Sequence, residues 1–512
     1  MFFKKNQNQK NIRVRMAPSP TGALHIGTAR TAIFNYLFAK KNNGKFVLRI
    51  EDTDLERSDI KWTQEIMDGL KWLGIEWDEG PDVGGEFGPY KQTQRIETYE
   101  EHLKKLLQEN KAYYCFCSAE ELEAKRQEQM SRGVAPKYDG KCSNLSAKEV
   151  KEKLEKGEPS VIRFRVKNKK VKFTDLIRKQ VEFDAGLFGD IVIAKNLKTP
   201  LYNFAVVVDD FEMQISHVIR GEDHIANTPK QILMQEALNF PMPEYAHLPL
   251  ILAPDRSKMS KRFGSVAIAD YKEQGYLSEA IINFMALLGW NPGTEKEIFT
   301  LSQLEKEFSI EKVQKSGAIF NLQRLDFING FYIREKPIEK LTELCIPYLK
   351  KSGLLVEGQV SKEKLQKIVE VSKSRMKKLS DIVDLADLFF KDKLRLDKEM
   401  IRWDKMQDID IKEGLLLCLP EGRQATNKKS LGDLGVGDWS IKNIEEILLD
   451  TAIEFNKSKG YPEKNRGFLL WPLRVALSGK KASPSPFEIA DILGKEKTLK
   501  KINEAIKILE ST

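Results

Sequence analysis

Cysteine is scarce in this chain. Only five occur in 512 residues: Cys115, Cys117, Cys142, Cys345 and Cys418. A sparse, odd set argues against a disulfide scaffold and for a reducing compartment. Long apolar runs are also missing. No uninterrupted stretch is long enough to span a bilayer. The segment Met1 to Asn11 is rich in Lys, Asn and Gln and has no apolar core, so it does not read as a secretory signal. There is no internal repeat of fixed period and no low-complexity tract. Together these absences predict a cytoplasmic, non-membrane protein.

What is present fits that prediction. Charged residues make up 31% and hydrophobic residues 41%, values ordinary for globular domains. At about 150 residues per domain, the length suggests three or four domains. The net charge is +9. It has two readings, simple solubility or a polyanionic partner such as nucleic acid, and charge alone does not choose.

The first half alternates strand-like and helix-like segments. Ile12 to Met16 reads as a strand, and a helix carrying Ile26, Ile33 and Leu37 follows. Phe46 to Ile50 reads as a second strand. Strand, loop, helix, strand predicts a parallel, doubly wound sheet. Phe204 to Val208, apolar throughout, and Ile215 to Ile219 are expected to be further strands. Between them and the opening strands lies a different texture of charged helical runs, three cysteines and an alternating strand from Val161 to Val166, which predicts an inserted domain. After about Lys336, Leu365, Ile368, Leu379, Ile382 and Val383 recur near helical spacing. The last third is therefore expected to be mainly helical.

Two segments carry chemistry. Pro18-Ser-Pro-Thr-Gly-Ala-Leu-His-Ile-Gly-Thr28 joins a strand to a helix. Such a junction presents free backbone N–H groups and the positive helix end, which favours phosphate. It is no Walker A loop, because Thr28 stands where Lys is required. Alone, it reads more readily as a turn with a packed His25. Lys258-Met-Ser-Lys-Arg-Phe-Gly264 concentrates cations after the Pro-containing loop Ala253-Pro-Asp-Arg256. Alone, it reads as a solvated basic loop. With a triphosphate partner, its lysines would meet the phosphates.

Together the two segments resemble the paired signatures of the class I aminoacyl-tRNA synthetases, a His-Ile-Gly-His type and a Lys-Met-Ser-Lys-Ser type element. This chain departs from both at the last position, with Thr28 and Arg262, as the glutamyl branch commonly does. Arg15-Met-Ala-Pro-Ser-Pro-Thr-Gly22, Arg49-Ile-Glu-Asp-Thr-Asp54, Tyr202 to Asp210, Val218-Ile-Arg-Gly-Glu-Asp-His224 and Leu470 to Gly479 are similar to that branch as well. The resemblance implies a Rossmann-like catalytic sheet whose halves are residues 1–90 and 201–250. It implies an acceptor-stem-binding α+β insertion at 91–200, a stem-contact domain at 251–335 and a helical anticodon-binding region at 336–512. It also implies ATP-dependent formation of glutamyl adenylate, followed by transfer to the terminal ribose of the glutamate tRNA.

By the same resemblance, His25 and Lys261 are catalytic donors to the phosphates. Thr21, Gly22, His25, Gly27, Asp223, Lys258, Met259, Ser260 and Lys261 bind ATP, with magnesium bridging the outer phosphates. Arg15, Ala17, Ser19, Glu51, Tyr202, Val206 and Arg220 bind glutamate. Without the motif context, the arginines and Glu51 would read as structural ion pairs. Cys115, Cys117 and Cys142 raise zinc, but the residue two after the third cysteine is Asn144, a poor ligand, so the site reads as metal-free. In the last third, Lys377-Lys378, Lys428-Lys429, Lys480-Lys481 and Lys500-Lys501, with Trp439 and Trp471, read either as a solvated bundle or as an anticodon-binding surface. The chain is expected to be a monomer with glutamate tRNA, L-glutamate and ATP as partners.

The rivals are a glutaminyl-tRNA synthetase, an enzyme also charging the glutamine tRNA, and a catalytically dead tRNA-binding paralogue. The Ala17-to-Gly22 wording favours the glutamyl enzyme over the first. His25 and Lys261 stand against the last. A small nucleotidyltransferase would lack the lysine loop, and a short base-modifying paralogue would end soon after it.

Overall fold

The computed structural model describes residues 11–54, 56–259, 266–356, 358–392, 396–423 and 429–510. Lys261, Ser260, Arg262 and Lys428 lie outside them. The chain divides into two compact units, Met1–Glu273 with Ser278–Ile328, and Gln274–Leu277 with Asn329–Thr512.

The first unit opens with β1 (Arg13–Met16), α1 (Ile26–Lys41) and β2 (Lys45–Leu48). β1 and β2 run parallel with Arg15 opposite Val47, as the βαβ pattern requires. Next come α2 (Ile60–Trp72), α3 (Ile96–Gln108), β3 (Ala112–Cys115), α4 (Ala119–Ser131), α5 (Ala147–Glu155), β4 (Val161–Phe164), β5 (Lys170–Asp175), β6 (Lys179–Asp184), β7 (Ile191–Asn196) and β8 (Thr199–Pro200). The core segment then returns as α6 (Tyr202–Glu212), β9 (His217–Gly221), α7 (Thr228–Leu238) and β10 (Glu244–Leu248). The unit closes with β11 (Ile251–Leu252), α8 (Ile268–Gln274), α9 (Ser278–Leu287), α10 (Leu301–Glu307), β12 (Ala318–Ile319) and the first half of α11 (Leu322–Glu335), whose residues from Asn329 belong to the second unit.

β9 and β10 are parallel over five residue pairs. β9 begins beside β1, where the Ser216 N–H donates to the Arg13 carbonyl at 3.0 Å. β5 joins the far side of β10, with Asp175 opposite Tyr245, and carries β6 as an antiparallel edge. A separate antiparallel sheet, in the order β3-β4-β7-β8, forms within the segment between the two halves. The fold is thus a doubly wound α/β sheet with an α+β insertion.

One expectation is corrected. Phe204 to Val208 is not a strand: it lies inside α6, where every residue from Phe204 to Asp210 is buried. The run is apolar throughout because neighbouring elements cover the helix on all sides, which erases the helical periodicity. Three consecutive valines then imitate strand preference.

The second unit is helical. It contains α12 (Ile338–Lys351), α13 (Lys362–Lys373), α14 (Ile382–Phe390), α15 (Lys398–Ile401), α16 (Asp408–Leu417), α17 (Ile441–Lys459), α18 (Gly467–Ser478), α19 (Pro486–Leu493) and α20 (Lys495–Glu510). Its tryptophans are tied internally. The Trp439 indole N–H donates to the Ala490 carbonyl at 3.0 Å, and that of Trp471 to Met400 at 3.0 Å. Lys480 pairs with Asp387, and the Lys501 ammonium donates to the Lys391 carbonyl. Lys377, Lys481 and Lys500 remain exposed.

Candidate active site

His25 is the N-cap of α1, and its Nδ1 accepts the Gly27 N–H at 3.1 Å. A side chain that satisfies one of the free N–H groups of the first turn is held against the backbone there. Burial first, then the nearby Lys258 cation, lowers the His25 pKa below its ordinary value. Its backbone forms an antiparallel bridge with Ala267, and the Ile26 N–H donates to the Val266 carbonyl at 2.8 Å. The basic loop is thereby anchored on both sides. Before it, Leu252 bridges Lys258 and the Met259 N–H donates to the Ile251 carbonyl. After it, Val266 and Ala267 lie along the His25 segment. Lys261 and Ser260 fall outside the described residues.

These elements border a cleft of about 1090 Å³. Of the residues singled out from sequence, Arg15, Ala17, Ser19, His25, Gly27, Glu51, Tyr202, Arg220, Asp223, Lys258 and Met259 line it. Thr21, Gly22 and Val206 do not. Thr21 is exposed in the turn before α1. Gly22 faces open space, with nothing within 4 Å of a Cβ placed on it. Val206, one helical turn beyond Tyr202, is 1% exposed and packs in the core.

Two lining residues, Arg15 and Glu51, belong to a buried charge network, the ion pairing that their residue types suggest without the motif context. Arg15 Nε donates to Asp210 Oδ1 at 3.0 Å. Arg49, with no exposed side-chain surface, pairs with Asp210 at 2.9 Å, Glu51 at 3.1 Å and Asp209 at 3.6 Å. Asp209 also accepts from Arg95 at 2.7 Å, Tyr99 at 2.8 Å and Gln92 at 2.8 Å. Burial raises the Glu51 pKa, although Arg49 and Arg15 oppose the shift. Burial also presses on Asp210, but Arg15 and Arg49 outweigh it and hold its carboxyl below the usual range. A further signal was Asp209-Asp210 terminating an apolar run, since carboxylates that share a covered element must be paired.

Also on the lining, Tyr202 and His224 face each other, hydroxyl to Nδ1 at 3.1 Å. Burial, then Arg220, pushes the His224 pKa down to about 4. Arg30, Arg57 and Lys195 add positive charge to the lining, and Asp54, Glu56 and Asp223 add negative charge. The cleft therefore holds cations at several points, as an anionic ligand requires.

The three cysteines meet outside the cleft. The Sγ atoms of Cys115, Cys117 and Cys142 lie within 4.8 Å of one another. The Tyr138 hydroxyl sits 3.3 Å from Cys115 Sγ and 3.6 Å from Cys117 Sγ. Burial pushes the Cys117 thiol up to about 11. Asn144 is exposed in the following turn. Among the described residues no fourth His, Cys, Asp or Glu joins the group, so the donor set falls short of the four ligands of a closed structural zinc site.

Comparison with known proteins shows the family. The family described as tRNA synthetases class I (E and Q), catalytic domain, matches residues 11–327. The anticodon binding domain family matches residues 340–506. Glutamate–tRNA ligase 1 of Caldicellulosiruptor saccharolyticus is 44% identical over 502 residues, covering 96% of this chain and 98% of that protein. The glutamate–tRNA ligase of Carboxydothermus hydrogenoformans is 44% identical over 490 residues, covering 94% of this chain and 97% of that one. A crystal structure of a glutamate tRNA ligase from Elizabethkingia meningosepticum, in complex with its amino acid, superposes with a TM-score of 0.84 at 33% identity, covering 98% of this chain and 100% of that chain.

Proposed function

The chain belongs to the class I tRNA synthetases of the glutamate and glutamine type, and from that premise we propose how its cleft divides the work. The protein joins L-glutamate to transfer RNA at the expense of ATP. The α-carboxylate of glutamate attacks the α-phosphorus of ATP, and pyrophosphate leaves. The terminal ribose hydroxyl of the tRNA then attacks the adenylate carbonyl, and AMP leaves. The helical second unit carries the anticodon-binding match.

In the first step, negative charge grows on the phosphoryl oxygens, so catalysis rests on positioning and placed cations. His25 at the start of α1 supplies a donor together with the free N–H groups of the first turn. Lys258 and Lys261 supply charge from the basic loop. Magnesium in such sites is held by phosphate oxygens and water with one or two carboxylates. Asp54, Glu56 and Asp223, which water reaches on the cleft wall, fit that limited need.

Arg15 faces the side-chain carboxylate of glutamate. Asp210 takes the Nε side of its guanidinium, the remaining donors suit a carboxylate, and glutamine would set an amide against them. Glu51 meets the ammonium and Arg220 the α-carboxylate. Tyr202, Ala17 and Ser19 complete the wall. The observation that carries this reading is the convergence of Arg15, Glu51, Arg220 and His25 on one cleft. No described helix is long and apolar enough to cross a membrane, and the protein is read as a cytoplasmic monomer whose tRNA is the glutamate tRNA. Amino-acid-dependent pyrophosphate exchange, run with glutamate and with glutamine in the presence of each tRNA, tests it. Exchange with glutamine alone would overturn it.

A further inference from the structure

Arg220 stands on β9, 5% exposed, with its guanidinium over the Tyr245 ring at 5.6 Å. Its Nε donates to His247 Nε2 at 3.3 Å and its Nη2 to Thr228 Oγ1 at 2.7 Å. Its Nη1 is buried without a hydrogen-bond partner, on a residue that lines the cleft. A buried donor left unpaired is costly, so this nitrogen, on a residue of the cleft lining, calls for an acceptor that a ligand oxygen can supply.

Arginine only donates, so His247 must present Nε2 without a proton. The other side of the ring settles this. His247 Nδ1 lies 2.6 Å from Asp175 Oδ2, and neither residue has exposed side-chain surface. Asp175 also accepts the backbone N–H groups of Ile177 at 2.9 Å, Arg178 at 2.7 Å and His247 at 3.0 Å. Burial opposes its ionisation, but the His247 ring and these donors outweigh burial and hold its carboxyl below the ordinary range. An ionised carboxylate only accepts. The imidazole proton therefore sits on Nδ1, and Nε2 is bare for Arg220 and for the Thr228 hydroxyl 3.0 Å away.

We propose that Asp175 and His247 are a positioning pair for Arg220: Asp175 fixes the tautomer of His247, and Nε2 of His247 holds the guanidinium so that Nη1 faces the α-carboxylate of the amino acid. The proposal rests on the reading of Arg220 as the ligand of that carboxylate. It adds that the amino-acid site depends on β5, a strand from the segment between the two halves of the parallel sheet. Neither residue touches substrate; both act through Arg220.

The test uses the full-length protein. Imidazole ¹⁵N spectra should show His247 protonated on Nδ1 and bare at Nε2. In Asp175→Asn the amide NH₂ turns to Nδ1, the proton moves to Nε2, and two donors then face each other at Arg220. Holding the wrong tautomer in this way leaves shape intact and removes function. The KM for glutamate should rise about tenfold or more while the KM for ATP stays within about twofold, the scale of one lost charge-assisted hydrogen bond. His247→Gln keeps an acceptor near the Nε2 position and should recover most of the glutamate affinity that His247→Phe loses. If Asp175→Asn does not fold, the wild-type spectrum and the His247 pair decide. An Nε2-protonated ring in the wild type, or equal loss of glutamate and ATP affinity in His247→Phe, overturns the pair. An unchanged glutamate KM in Arg220→Gln with the expected spectrum overturns the carboxylate role of Arg220 instead.

Discussion

Arg49 Nη1 lies 2.9 Å from Asp210 Oδ1, the arginine side chain wholly buried and the aspartate 8% exposed. The same guanidinium pairs with Glu51 and Asp209, so one cation just beyond β2 contacts three carboxylates, with Arg15 and Arg95 supplying the further positive charge. Asp210 in turn orients Arg15. The network is therefore a single electrostatic unit shared by β1, the residues after β2, and α6.

Arg49→Leu should be severely destabilising. It strands Asp209, Asp210 and Glu51 in a buried site, and removing one partner of a buried pair costs about 3–5 kcal/mol. Denaturant unfolding of purified wild type and variant measures it. A loss below about 1 kcal/mol, the scale of an exposed pair, would contradict the network.

Arg15→Ala should weaken use of glutamate far more than binding of ATP. Loss of a charged donor facing a carboxylate costs about 3 kcal/mol, roughly a hundredfold in glutamate kcat/KM. Equal losses for both substrates, measured in pyrophosphate exchange, would assign Arg15 a purely structural task within the network.

His224 gives a pH prediction. Its pKa is depressed to about 4 in the folded protein by burial and Arg220, against about 6.5 in the unfolded chain. Between those values the unfolded state binds a proton that the folded state refuses. Stability should therefore decline as pH falls from about 6.5 to about 4 and be insensitive to this residue above that window. His224→Gln should flatten that part of the profile. An unchanged slope in thermal unfolding across the window would remove His224 as its source.

Purified protein should carry well under one zinc per chain by elemental analysis, and treatment with a zinc chelator that is then removed should leave charging activity with added magnesium unchanged. Cys115, Cys117 and Cys142 supply three donors, and the position of a fourth holds exposed Asn144. One tightly held zinc per chain would mean that another group, with the Tyr138 hydroxyl nearest, completes the set.

Binding of the glutamate tRNA should weaken steeply with salt. Replacing Lys377, Lys481 and Lys500, which stay exposed, by Ala should reduce the log–log salt slope by about one for each phosphate that these lysines neutralise. Lys480 and Lys501 should matter less for tRNA, because they already bond within the unit. An unchanged slope in the triple variant would place the tRNA on another face.

The sequence by itself determined the chemistry. The His25 and Lys258-to-Gly264 segments pointed to the enzyme class through their joint resemblance to the paired signatures of the family, which neither segment carries alone. These are local features of the sequence. It also determined β1, α1 and β2, where periodicity and turn residues agree. Only the tertiary structure decided what depends on coverage and on distant partners. Phe204 to Val208 is a helix because its neighbours bury every side, and no local pattern records that. Val206 is core and Tyr202 is cleft wall for the same reason, one turn apart on one helix. Asp210 meets Arg15 across 195 positions, and Asp175 meets His247 across 72. Such pairs are set by which strands and helices lie side by side, and a charged residue reads the same in sequence whether it is solvated or holds a buried arginine on the cleft lining.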